Sequence, residues 1–175
     1  MAGWSEFGYY QLSYKYWLLK LDASGNIEWE NYYGGDDDDK ANSIKQTDDG
    51  GYIVAGYSGS DDGDVSGNYG YNDYWLVKLD ASGAIEWEGN YGGFLDDEAF
   101  SVKQANDGGY IVAGFSESDD EDVSGNYGQD DFWVVKLNGN LSTENPSTDG
   151  EMQSSLYPNP TRNNITVETS GAKAP

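Results

Sequence analysis

The 175-residue chain contains no cysteine and no histidine. Those two absences remove the usual zinc sites, thiol nucleophiles, disulfides and any catalytic arrangement that needs imidazole. Positive charge is scarce: nine Lys and Arg stand against 32 Asp and Glu, a formal net charge of -23. Nucleic acid and anionic membrane both bind through lysine and arginine, so neither is an expected partner. No run approaches the roughly 18 apolar residues of a membrane helix, so no membrane insertion is expected. MAGWSEFGYY, at the start, lacks the basic and apolar regions of a signal peptide.

What is abundant points the other way from disorder. There are 24 glycines, 15 tyrosines, six tryptophans and five phenylalanines, whereas disordered acidic segments are poor in aromatics. Tyr, Trp, Ile and Val fall in short runs between Gly and Asp, the pattern of strands and turns. An all-β domain is expected, with divalent cations as its natural counter-charge.

The chain repeats itself. YWLLKLDASGNIEWENYYGG (16–35) recurs as YWLVKLDASGAIEWEGNYGG (74–93), and DGGYIVAGYSGSDD (49–62) as DGGYIVAGFSESDD (107–120), always 58 residues on. FWVVKLNGN begins a further copy at Phe132. AGWSE at 2–6 matches AGYSG at 55–59 and AGFSE at 113–117, with a first connecting loop five residues shorter. The repeats are 16–73 and 74–131, with partial units at 1–15 and 132–137. Within a repeat, strands are expected at 74–79, 84–90, 99–104 and 110–115. Trp75, Val77 and Leu79 share one face of the first strand, and Tyr74 and Leu76 the other, so both faces look covered. Asp80-Ala81-Ser82-Gly83 and Asp107-Gly108-Gly109 are turns. Four-stranded antiparallel units covered on both faces are the blades of a β-propeller. Trp29, Trp75, Trp87 and Trp133 are then expected between sheets, sugar stacking being the other role open to them.

These motifs resemble the β-propeller repeats of secreted surface proteins from bacteria that use type IX secretion, over residues 2 to about 137. A second resemblance lies beyond a polar linker at 138–153. Leu156-Tyr157-Pro158-Asn159-Pro160, followed by a strand-like Ile165–Val167, is similar to the opening of the type A C-terminal sorting domain of that pathway; 154–175 is shorter than the family's domain. The resemblance implies an extracellular or cell-surface protein that engages the type IX secretion machinery. The resemblance is not specific for ligand, and a glycan or surface ligand is the partner considered. A complete propeller needs at least four blades, so the two full and two partial units point either to a fragment or to a homo-oligomer completing the ring.

The acidic loops carry a ligand-like spacing. Asp62, Asp64, Ser66, Asn68 and Asp73 occupy positions 1, 3, 5, 7 and 12 of one frame. Asp120, Asp122, Ser124, Asn126 and Asp131 repeat it. Gly67 and Gly125 stand at position 6. Short oxygen ligands at alternate positions around a glycine turn suit Ca2+, which takes six to eight oxygens. Asp replaces the usual Glu at position 12, and a solvated turn is the competing reading. Asp61 and Asp119 are outer partners in such a cage. The N-terminal loop has Lys15 where Asp73 and Asp131 stand, so two sites are expected and not three. In the DDDDK run at 36–40, Asp38 and Asp39 align with Asp96 and Asp97; strand cap, cation ligand and solvated turn are open, with the solvated turn favoured. Glu30, Glu86, Glu88 and Asp97 could form the paired carboxylates of a glycoside hydrolase. All recur in both repeats or lie on exposed strand faces, and no catalytic role is expected. The leading expectation is a non-catalytic, calcium-stabilised binding or adhesion module. A carbohydrate-active hydrolase fragment and a structural repeat assembling into a ring or fibre are the alternatives.

Overall fold

The computed structural model of the chain describes residues 2–7 and 13–138. The sorting-like segment 154–175 and the linker beyond residue 138 lie outside the described residues. Among the described residues ten strands follow one another: β1 (Ala2–Phe7), β2 (Ser13–Leu21), β3 (Ile27–Tyr33), β4 (Asp39–Gln46), β5 (Tyr52–Ser58), β6 (Asp73–Leu79), β7 (Ile85–Tyr91), β8 (Asp97–Gln104), β9 (Tyr110–Ser116) and β10 (Asp131–Leu137). They form three small antiparallel sheets, β1-β2-β3, β4-β5-β6-β7 and β8-β9-β10. The fold is all-β, and no helix among the described residues is long and apolar enough to cross a membrane.

Local chemistry explains the short turns. Asp80 Oδ1 accepts from the amides of Ser82 at 2.8 Å and Ala84 at 2.9 Å, and Gly83 takes a φ of 87°. Side-chain oxygens that mimic the backbone, followed by a residue free to adopt positive φ, close a tight hairpin. Asp22 does the same one repeat earlier, accepting from Ser24 and Asn26 at 2.8 Å each. Register shifts recur at matching places, between Ala41 and Ser43 and between Ala99 and Ser101. Bulges are thus part of the repeat, not defects.

The strands fall close to the expected positions, but the sheets divide the chain differently from the sequence repeat. β6 and β7, which open the repeat 74–131, pair with β4 and β5 of the preceding one. β8 and β9 of that same repeat belong to the next sheet with β10. The physical reason lies in the connections. The long loop 59–72 returns β6 alongside β5, with Ser58 opposite Asp73. The short Gly92-Gly93 segment carries the chain off β7 into the following sheet.

Both faces of the central sheet are covered, as the alternation predicted. Trp75, Val77 and Leu79 join Tyr16, Leu18 and Val54 in one core. Tyr74 and Leu76 join Ile53, Val112, Trp133 and Val135 in the other. Every residue of β6 is buried, including Lys78, whose ammonium reaches Asp49 at 2.9 Å and Glu86 at 2.6 Å. Adjacent sheets meet through one repeated joint. The Tyr16 hydroxyl donates to the Trp75 carbonyl at 3.0 Å, with ring centroids 4.5 Å apart at 51°. Tyr74 donates to the Trp133 carbonyl at 3.0 Å, with centroids 4.6 Å apart at 51°. Trp75 and Trp133 are therefore core residues. Trp29 and Trp87 are half-buried and also pack between sheets, Trp29 of β3 against Tyr52 of β5 and Trp87 of β7 against Tyr110 of β9.

Candidate functional site

The long loops 59–72 and 117–130 and the crossings 34–38 and 92–96 all leave the strands at one end of the sheets. The short turns sit at the other. Loops on a rigid scaffold are the usual place for binding chemistry.

In the first acidic loop, the five residues of the calcium frame turn to different partners. Asp62 Oδ1 accepts from the Asp36 amide at 2.7 Å, and Asp64 Oδ2 from the Gly34 amide at 3.1 Å. Ser66 Oγ donates to Glu88 Oε1 at 2.5 Å. Asn68 Nδ2 donates to the Ser58 carbonyl at 3.0 Å, while its Oδ1 accepts from Gly70 at 2.8 Å. Asp73 Oδ2 accepts from the Tyr69 amide at 2.7 Å. The second copy behaves alike. Asp120 Oδ1 accepts from Phe94 at 2.9 Å, the Asp122 amide donates to the Gly92 carbonyl at 3.1 Å, and Asn126 Nδ2 donates to Ser116 at 2.9 Å. Asp131 Oδ2 accepts from Tyr127 at 2.7 Å, Asp119 Oδ1 from Gly125 at 3.0 Å, and Ser124 is exposed. The loop carboxylates at positions 1 and 3 thus pin the neighbouring glycine crossing to the loop. Among the described residues, no three carboxylates stand ready-grouped around one ion.

The aspartates of the crossings differ from the favoured expectation. Asp39 and Asp97 are 0% exposed, so neither lies in a solvated turn. Asp39 Oδ2 accepts from the Gly35 amide at 2.9 Å and the Ser60 hydroxyl at 3.2 Å, and its Oδ1 accepts from the Ser58 hydroxyl. Burial pushes its carboxyl up to about 6, against the pull of those donors and of Lys15. Asp97 Oδ2 accepts from the Gly93 amide at 2.7 Å and the Ser118 hydroxyl at 2.9 Å; burial raises it too. Asp73 is equally buried and is raised to about 7, first by desolvation and then by the charges of Asp97, Asp122 and Asp120. Asp122 is raised by burial and by Glu121 and Asp97. Sequence reasoning missed that Asp73 belongs with Asp97. The signal was the recurring Gly-Gly followed by Asp four residues after the second glycine, Gly35 to Asp39 and Gly93 to Asp97.

Tyr71 and Tyr127 of these loops are 68% and 75% exposed, and Tyr69, Phe94 and Leu95 on the same loops and crossings are exposed too. The carboxylates considered for hydrolysis have structural partners. Glu30 accepts from Trp17 Nε1 at 2.7 Å, Glu88 from Trp75 Nε1 at 2.9 Å, and Glu86 pairs with Lys78. Comparison with known protein families and with curated protein sequences finds no match to this chain.

Proposed function

We propose that the chain is a non-catalytic binding or adhesion module of a secreted or cell-surface protein, with its sheets serving as blades of a calcium-stabilised β-propeller. The blade reading is supported by the tyrosine–tryptophan joint, which recurs with the same geometry at both sheet junctions. Radial stacking of four-stranded sheets needs one interface repeated in this way. The binding reading rests on one observation: the acidic long loops and crossings at this end of the sheets also carry exposed aromatic side chains, Tyr69, Tyr71, Phe94 and Tyr127. A tyrosine offers an apolar face and a polar tip, which suits the alternating apolar and hydroxyl surfaces of a glycan.

Immobilised full-length chain on a glycan array tests this. Retention of a glycan that Tyr71→Ala and Tyr127→Ala both weaken supports the module. Release of sugar from the bound glycan would instead identify the hydrolase. Retention unaffected by either substitution removes the loop end as the binding face.

A further inference from the structure

The two sheet junctions are built from matching residues, and at one position their charge is opposite. At the first junction Gly34 lies against Asp39 and donates to Asp64, while the Lys15 ammonium donates to the Gly35 carbonyl and acts on the charge of Asp39. Both oxygens of Asp39 are hydrogen-bonded there. The residues 58 further on are Gly92, Asp97, Asp122 and, in place of the lysine, Asp73.

The second junction is consequently unbalanced. Asp73 and Asp97 are both fully buried; Asp73 Oδ1 has no hydrogen-bond partner, and Asp97 Oδ1 has none in bonding geometry, the Ser116 hydroxyl being the one further side-chain donor that acts on that carboxylate. They converge on one glycine: a Cβ on Gly92 would fall 2.5 Å from Asp73 Oδ1 and 2.6 Å from Asp97 Oδ2. The Asp122 carboxylate is held beside the same Gly92 amide. The charged groups acting on Asp73 are Asp97, Asp122 and Asp120, all acidic. Buried polar atoms are nearly always paired, and buried charges are paired or bound to metal. Short carboxylates that retain free oxygen lone pairs suit a hard divalent cation.

We propose that this junction binds one divalent cation of the calcium type, with Asp73 and Asp97 as direct ligands and Asp122 beside them, in the role that the Lys15 ammonium fills at the first junction. Asp73 opens β6 of the central sheet, whereas Asp97 opens β8 and Asp122 follows β9 of the third. The ion therefore bridges two sheets; it does not close a single loop. The site stands independently of any glycan binding, so either can fail alone.

The test is calorimetric titration of chelator-stripped full-length chain with calcium chloride, in about 0.15 M salt to screen the surface charge, with Tm followed in parallel. One ion per chain is expected, and a Tm that climbs with calcium concentration. Asp97→Asn lies outside both loop frames and should abolish both signals. Asp62→Asn lies inside the first frame and should leave them intact. Asp73→Lys copies the first junction; it should fold with a Tm at or above that of the metal-free parent and ignore calcium. Absence of calcium heat in the parent would overturn the proposal and leave a shared proton as the occupant. A response kept by Asp97→Asn, or lost in Asp62→Asn, would overturn it in favour of the loop frames.

Discussion

Tyr74→Phe deletes one oxygen atom at the joint between the second and third sheets and leaves the ring where it is. The apolar contact with Trp133 is kept, so the change isolates the hydrogen bond to the Trp133 carbonyl. Tyr74 is fully buried, so water cannot replace the lost donor. A buried hydrogen bond contributes about 1 kcal/mol net, and an acceptor left unpaired raises the loss to as much as about 3 kcal/mol. Tyr16→Phe should cost a similar amount, since its geometry at Trp75 is nearly the same. Urea denaturation followed by tryptophan fluorescence measures both. The two joints share no partner, so the double variant should lose the sum to within about 0.5 kcal/mol. Tyr71→Phe, on an exposed loop, is the control and should be neutral within about 0.5 kcal/mol. If Tyr74→Phe is as neutral as that control, the hydroxyl does not hold the sheets together and the joint is packing alone.

Two further outcomes follow from the same geometry. A Cβ on Gly114 would lie 2.6 Å from the Tyr74 hydroxyl oxygen and 2.9 Å from Ala99 Cα, and nearer still to the Glu98 carbonyl. Gly114→Ala should therefore destabilise by about 1–3 kcal/mol, as overpacking does, while Gly128→Ala, with open space around it, should not; thermal melts compare them. Asp39 has a folded carboxyl raised to about 6 from an ordinary 3.8, so its stabilising contribution is complete below 3.8 and is lost as pH rises through 6. At about 1.4 kcal/mol per unit, that loss is on the order of 3 kcal/mol between pH 4 and 7. Asp39→Asn cannot ionise, so its stability relative to the parent should improve by that order across the window; a constant difference refutes the assignment.

Much of this was legible because the repeat declares itself. The alternation of Tyr74, Trp75, Leu76, Val77 and Leu79 gave the two buried faces of β6 correctly, since period-two patterning is a local property. Turns such as Asp80–Gly83 were equally readable, their chemistry being contained within five residues. Sheet membership was not. A period of 58 fixes the spacing of strands but not where one sheet ends, and Gly92-Gly93 decides that by carrying the chain across. The nearness of Asp73 to Asp97 was not legible for a related reason. Spacing along one loop grouped Asp73 with Asp62 and Asp64, whereas the folded chain brings it to Asp97, which precedes the next strand. Asp39 and Asp97 looked solvated because their sequence neighbours are acidic, and burial depends on packing that those neighbours do not reveal.

The offset between sequence repeat and sheet resembles the staggered courses of a brick wall. The peptide link between repeats, at Asp73 and Tyr74, runs into the middle of a sheet, and the break between sheets, at Gly92, falls inside a repeat. A pull along the chain therefore meets the full antiparallel ladder between β5 and β6 at the boundary after residue 73, and that between β9 and β10 at the boundary after residue 131. At the two sheet boundaries it meets covalent crossings, the first pinned by Asp62 and Asp39 and the second by Asp120 and Asp97. No plane through the stack separates only packed side chains without also cutting chain. Under tension along the chain, such bonding spreads mechanical strain over neighbouring units.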